Sequence, residues 1–130
     1  MPHYRISEAA RLLGVSDDTM RRWIDTGRLT TLPGDGPREV DGADLAALAQ
    51  ELAHQPEPVE GQVPSSARNR LLGLVTKVTT DAVMAQVELQ CGPFRVVSLI
   101  SAEAVRELGL APGVRAVASV KATNVVVEVP

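Results

Sequence analysis

The spacing of hydrophobic residues along the 130-residue chain changes near its middle. Up to about residue 53, apolar residues recur every three or four positions, as on one face of an amphipathic helix. From residue 66 onwards, apolar and polar residues alternate in short runs, as in half-buried strands. Residues 54–65 hold three prolines and no apolar period. The sequence therefore predicts a mostly helical N-terminal domain (1–53), a Pro-rich linker (54–65) and an all-β C-terminal domain (66–130).

Two short helices joined by a tight turn are predicted to open the N-terminal domain. Ser7 is the expected cap of the first helix, and Gly14 ends it. Ser16 is the expected cap of the second helix, which Gly27 ends. The inner faces carry Ile6, Ala10 and Leu13 in the first helix and Met20, Trp23 and Ile24 in the second.

A hairpin and a third helix are predicted to follow. Turn-forming residues at 33–37 separate two β-prone stretches within residues 28–40. Asp41 is the expected cap of a helix over residues 42–53, whose inner face carries Leu45, Leu48 and Leu52. The first two helices and the tight turn between them form a helix-turn-helix.

This half resembles the winged helix-turn-helix of the excisionase and MerR-like class. The matching residues are Gly14-Val15-Ser16, Thr19, Arg22-Trp23 and Gly27-Arg28-Leu29. The resemblance implies that double-stranded DNA is the partner, with the second helix in the major groove and the hairpin on the backbone. Since guanidinium groups bind guanine edges and phosphates, the candidate DNA contacts are Arg21, Arg22, Arg28 and Arg38.

The charge of this half leaves an alternative open. Residues 1–53 hold six arginines and nine acidic residues, for a net charge of −3. The predicted hairpin tip, residues 34–39, is also less basic than in related domains. A protein-docking use of the same fold is therefore the alternative to DNA recognition.

Five strands and one helix are predicted in the C-terminal half. Five short strands with one inserted helix fit a small OB-like barrel. The helix lies between the third and fourth strands. The strands are Leu71–Thr79, Val83–Gln90, Phe94–Ile100, Val114–Lys121 and Asn124–Val129, and the helix is Ala102–Leu108.

Hydroxyl and basic residues occur in a characteristic order in this half. Ser66-Ala67-Arg68-Asn69 opens it, Ser101 stands before the helix, and Lys121-Ala122-Thr123 precedes a valine run. The order resembles the molbindin or TOBE module over nearly all of residues 66–130. The resemblance implies an oxyanion ligand, molybdate or tungstate, and matches the ligand positions to Ser66, Arg68, Ser101, Lys121 and the backbone of Ala122. Ala104 departs from it, because family members often carry a second serine there.

The chemistry of these side chains suits a tetrahedral dianion. Arg68 offers a fixed fork of N–H donors, and Lys121 offers a compact positive charge. Several donors are needed, because an unpaired buried charge costs several kcal/mol. Residues 66–130 carry a net charge of +2. His3 and His54 lie far apart in the chain, with no Cys or carboxylate around them at the spacing of a metal site, so we expect molybdenum or tungsten only as an oxyanion and no free cation site.

Other functions of the same folds are less well supported. An OB-like barrel that binds single-stranded nucleic acid needs aromatic platforms, and Phe94 is the only aromatic residue in this half. No nucleophile–base pair or phosphate loop occurs, so we expect no enzyme. No apolar run is long enough to span a membrane, and we expect a cytoplasmic protein.

Together these patterns predict a molybdate- or tungstate-responsive transcriptional regulator. The alternatives are an oxyanion storage protein whose N-terminal domain serves assembly, and an adaptor for a transporter or a cofactor-synthesis enzyme. We also expect a homo-oligomer, because a domain of about 65 residues buries only roughly 60% of its unfolded surface. The resemblance allows a dimer or a hexamer built as a trimer of dimers, with anions held between subunits.

Overall fold

The chain divides into two compact units, Met1–Gln55 and Pro56–Pro130. The computed structural model describes residues 2–53 and 64–130, so most of the predicted linker, 54–63, lies outside the described residues. Each unit has its own hydrophobic core. No helix in the described ranges is long and apolar enough to cross a membrane. The predicted fold class, a helical domain followed by a β domain, is confirmed.

The N-terminal unit is three helices with a two-stranded sheet. In chain order its elements are β1 (His3–Arg5), α1 (Ile6–Leu13), α2 (Asp17–Asp25), β2 (Glu39–Asp41) and α3 (Gly42–Leu52). The strands pair antiparallel, with Tyr4 opposite Val40. The fully buried Met20 and Val40 lie in the core, and Trp23 packs against it partly buried. The second helix therefore turns its apolar face inward, as predicted.

Of the predicted N-caps, Ser16 caps α2 with a side-chain hydrogen bond, Asp41 stands at the N-cap position of α3 without one, and Ser7 does not cap α1. Gly14 adopts a left-handed conformation (φ 69°) and ends α1, and Ser16 accepts the Thr19 N–H at 3.1 Å to begin α2. The helix α1 begins at Ile6 directly out of β1, so Arg5 takes the cap position, and no side chain caps it.

The predicted hairpin is present only in reduced form. In the wing, residues 31–40, Thr31 forms a single bridge with Val40, and the Leu32 N–H donates to the Glu39 carbonyl at 2.8 Å. The prediction of a strand before the turn at residues 33–37 is therefore wrong. Pro33 and Pro37 at the tip have no N–H to extend a ladder. The second strand pairs mainly with β1, which the apolar pattern did not predict.

The C-terminal unit is a curled antiparallel sheet with one helix. Its elements are β3 (Asn69–Thr80), β4 (Met84–Cys91), β5 (Phe94–Ser101), α4 (Ala102–Leu108), β6 (Arg115–Val120) and a 3₁₀ turn (Ala122–Asn124). The strand order is β5-β4-β3-β6, so β5 and β6 are the edges.

β3 curls this sheet because it pairs with two different strands. Its first half pairs with β6, its second half pairs with β4, and Leu74 pairs with both. A bulge lies between Val75 and Lys77, where a strand bends most easily. Inside the curl lie the alternating residues of β4 with Val75 and Val105 of α4, as the period of two predicts. The sheet is a half-barrel with an open side between β5 and β6.

The predicted fifth strand, Asn124–Val129, is not formed. The 3₁₀ turn follows β6 instead, and residues 125–130 have no regular structure. Val126, Val127 and Val129 are 82%, 85% and 92% exposed. Valine favours strands, but a strand needs a partner ladder, and within the described chain no neighbouring strand pairs with this segment.

The turn between β3 and β4 depends on Asp81. Its carboxylate accepts the N–H groups of Met84 and Val83, each at 2.8 Å. These two hydrogen bonds lower the pKa of Asp81 from its ordinary value of 3.8. The same turn supports the end of β5, since the Val83 carbonyl accepts the Ala102 N–H at 2.8 Å.

Asp81→Ala is expected to lower the unfolding temperature at neutral pH. Because the pKa is lower in the folded state, the stabilisation is present above pH 3.8 and is lost as pH falls through the folded pKa. Thermal unfolding followed by circular dichroism should therefore show the difference from wild type shrinking on acidification. A difference that stays constant down to about pH 2 would contradict the role of the charged carboxylate.

Candidate functional site

Strand register brings Arg68 and Lys121 to one end of the half-barrel. Asn69 at the start of β3 pairs with Val120 at the end of β6, so the next residues outward flank the same sheet end. The Asn69 side chain fixes this end by donating to the Val120 carbonyl at 3.1 Å. Arg68 and Lys121 are both exposed, and neither forms an ion pair within residues 2–53 and 64–130. Their positive charges are available to a ligand.

Two further predicted ligand positions lie beside this pair. Ala122 begins the 3₁₀ turn, which the Asn124 N–H closes onto the Lys121 carbonyl at 2.9 Å. The Ala122 N–H stands at the first position of the turn, where the turn itself supplies no acceptor. Ser66 is exposed and lies two residues before Arg68. Four of the five predicted positions therefore belong to one end of the sheet.

Ser101 lies at the opposite end of β3. It pairs with Met84 at the start of β4, which follows the turn after Thr80. The 12 residues of β3 separate this end from Asn69, a strand contour of about 36 Å. In the strand register, Ser101 and the Arg68–Lys121 pair therefore stand at opposite ends of β3.

The Ser101 hydroxyl can nonetheless donate a hydrogen bond. Its Oγ accepts the Ala104 N–H at 3.0 Å and caps α4. Since a hydroxyl both accepts and donates, the O–H hydrogen remains for another acceptor. The side chain is exposed, so that acceptor can come from outside the chain.

The predicted DNA contacts in the N-terminal unit differ in their surroundings. Arg22 is exposed and has no ion pair within the described residues. Three of the four predicted arginines face carboxylates, the pairs being Arg21–Asp18 at 3.5 Å, Arg28–Glu51 at 3.9 Å and Arg38–Asp25 at 4.0 Å.

Arg28 has an additional contact that gives it a structural role. Its guanidinium lies 5.5 Å from the centre of the Trp23 ring, within cation–π range. Because Arg28 also pairs with Glu51 of α3, it links the end of the helix-turn-helix to the third helix. It is therefore less available to DNA than Arg22.

Sequence reasoning missed two contributors to these sites. Asn69 anchors the β3–β6 end, but the predicted strand begins two residues later, at Leu71, so no sequence signal pointed to this role. Glu51 pairs with Arg28 across tertiary structure, so no local pattern marks it. Among the described residues, no group of three His, Cys, Asp or Glu side chains could hold a metal ion.

Two protein families match the chain, one for each unit. The TOBE domain matches residues 65–127, and a helix-turn-helix domain matches residues 4–53. Molybdenum-pterin-binding protein 2 of Clostridium pasteurianum is 40% identical over 63 residues, which are 48% of this chain and 93% of that protein. Molybdenum-pterin-binding protein 3 of the same organism is 38% identical over 63 residues, again 48% and 93%.

A solved structure is similar to the same half. The cytoplasmic molybdate-binding protein ModG, crystallised with molybdate bound, is 45% identical with a TM-score of 0.51. The match covers 52% of this chain and 49% of that one. The chain therefore belongs to the TOBE-domain family, and it carries a helix-turn-helix domain ahead of its TOBE domain.

Proposed function

We propose that this chain is a one-component regulator that binds molybdate or tungstate through its TOBE unit and double-stranded DNA through its helix-turn-helix unit. One observation carries the proposal: a helix-turn-helix domain is joined in one chain to a domain 40% identical to a molybdenum-pterin-binding protein. The similarity to molybdate-bound ModG supports the choice of ligand.

The end of the half-barrel near Arg68 has the groups that an oxyanion needs. Arg68 and Lys121 offer two positive charges without ion-pair partners in the described chain, and Ala122 offers a backbone N–H. Two cations match the charge of a dianion such as molybdate. The hydroxyl of Ser66 adds a neutral donor, and hydrogen bonds to a charged acceptor are stronger than neutral ones.

We infer that the site is completed between two copies of the chain. The five candidate residues are all exposed, whereas a dianion held by hydrogen bonds needs shelter from water. Ser101 lies at the far end of β3 from Arg68 and Lys121. A second copy related to the first by a two-fold axis, with the two β3 strands antiparallel, would bring its Ser101 to the first copy's cations.

The open side of the half-barrel supports such an oligomer. A groove of about 270 Å³ lies between β5 and β6, lined by apolar residues of both edges and of β4, such as Val96, Ile100 and Ala118. The exposed tail, residues 125–130, has three valines on one face if it extends as a strand. We expect the tail of a second copy to occupy this groove. Its apolar face would cover the apolar lining, and its backbone N–H and C=O groups would pair with those of the edge strands β5 and β6.

The tail substitution Val127→Asp is therefore expected to disperse the oligomer. A carboxylate on the apolar face of the tail would have to enter the groove without a partner, which is unfavourable. Glu128→Gln, which lies on the other face, is the matched control and should leave assembly unchanged. Light scattering at micromolar concentration measures the outcome. A wild-type protein that is a stable monomer, with and without molybdate, would rule out the oligomer.

Arg68→Ala and Lys121→Ala are each expected to weaken molybdate binding. Removing one of two cations leaves the dianion under-compensated, at a cost of about 2–5 kcal/mol, and every 1.4 kcal/mol is about tenfold in affinity. Arg115→Ala, the same charge change on an exposed residue of β6, is the control. Isothermal calorimetry with molybdate, tungstate and sulfate measures the affinities. Unchanged affinity in both folded variants would exclude this site.

Mixing two variants tests whether the site is shared. If Arg68 and Ser101 come from different copies, a mixed oligomer of Arg68→Ala and Ser101→Ala chains contains some intact sites. Chains unfolded and refolded together should then recover high-affinity binding that neither variant shows alone. Absence of recovery in oligomers shown to be mixed would place both residues on one chain.

The regulator hypothesis predicts that oxyanion and DNA affect each other's affinity. Coupling of the usual size, about 1–3 kcal/mol, would change operator affinity about 5–150-fold when molybdate is saturating, and DNA would change molybdate affinity by the same factor. A titration of DNA from the protein's own promoter region, at fixed salt with and without molybdate, measures this coupling. Equal DNA affinities would reject the regulator hypothesis. Absence of specific DNA binding would favour oxyanion storage.

A further inference from the structure

Three of the four candidate DNA contacts in the N-terminal unit are paired with carboxylates of the same unit. Arg38 of the wing lies 4.0 Å from Asp25, the last residue of α2, and Arg21 lies 3.5 Å from Asp18 on the same helix. The two arginine side chains are 49% and 51% exposed, so a ligand can reach them. The acidic partners are more exposed still, at 72% and 96%.

The Asp25–Arg38 pair differs from the other because it joins two elements that both belong to the proposed DNA surface. Asp25 ends the helix proposed to enter the groove, and Arg38 belongs to the wing proposed to touch the backbone. A phosphate can replace the carboxylate at Arg38, but the displaced carboxylate then remains near a like charge. The net charge of −3 on residues 1–53 offers nothing to offset this repulsion.

We propose that Asp25 competes with the DNA backbone for the Arg38 guanidinium and so limits the affinity of a single helix-turn-helix unit for duplex DNA. This inference rests on the proposed DNA-binding function. An exposed ion pair contributes little to folding stability, so the pair can open on DNA and can be removed without loss of the fold. Because a single unit then binds DNA weakly, stable occupancy of DNA requires two units of an oligomer to bind together. Once one unit is bound, the effective concentration of the other near the DNA is high.

A double-mutant cycle on the full chain tests the competition. The variants are Asp25→Asn, Arg38→Ala and the double variant, and the probe is a short duplex of random sequence, because competition for phosphates needs no operator. We expect Asp25→Asn to bind about two- to fivefold more tightly than wild type, the effect of removing one like charge a few ångströms away in water. Fluorescence anisotropy at about 50 mM salt measures the affinities, and circular dichroism checks the helices.

The gain must depend on Arg38 and on salt. It should be smaller in the Arg38→Ala background, where only the general repulsion between Asp25 and DNA is removed, and it should fade near 1 M salt, where the screening length is about 3 Å. Asp44→Asn is the control for net charge, because Asp44 is exposed on α3 and has no ion pair within the described residues. It should gain less than Asp25→Asn.

Two results would overturn the competition while leaving DNA binding in place. One is wild-type binding that Asp25→Asn does not improve. The other is an equal gain from Asp44→Asn or in the Arg38→Ala background. If neither wild type nor Asp25→Asn binds duplex more tightly at low salt than at 1 M, the DNA-binding function fails and the competition fails with it.

Discussion

The C-terminal unit depends on the double pairing of β3. One strand that pairs with β6 along its first half and β4 along its second must bend, and the bulge after Val75 allows it to do so. The bend curls the sheet around its core and sends the two ends of β3 in opposite directions. The same register places Arg68 and Lys121 at one end of β3 and Ser101 at the other. One set of backbone hydrogen bonds therefore fixes both the curl of the sheet and the ends at which the candidate ligand residues lie.

Local patterns in the sequence predicted the elements better than their partners. The period of two located β4 and β5, and the helix Ala102–Leu108 has the predicted bounds, because its serine cap and the glycine after it are local signals. The predicted strand Asn124–Val129 was wrong. A run of valines indicates a preference for β-structure, but it does not show whether a neighbouring strand is available to pair with. β1 was missed for a related reason: three residues, His3–Arg5, are too few to show a period.

The candidate residues show the same division between local and long-range information. Residue type and order selected Arg68, Ser101 and Lys121, but only the register of β3 shows which of them share an end of the sheet. In the N-terminal unit, the pattern identified arginines on the outer face of a helix. It did not identify Glu51, whose pairing with Arg28 depends on how α3 packs. Among the candidate charges, Arg21, Arg28 and Arg38 thus have carboxylate partners, whereas Arg22, Arg68 and Lys121 have no ion pair within the described residues.

The exposed valine tail beyond the 3₁₀ turn has a consequence for how the protein behaves in a cell. If its apolar face is covered only when another copy is present, the free energy of folding includes an association step, and stability follows mass action. A dilute chain then has a less stable TOBE unit than a concentrated one. Slow synthesis would leave more chains open to proteolysis, so the amount of working protein would rise more steeply than the rate at which its gene is expressed.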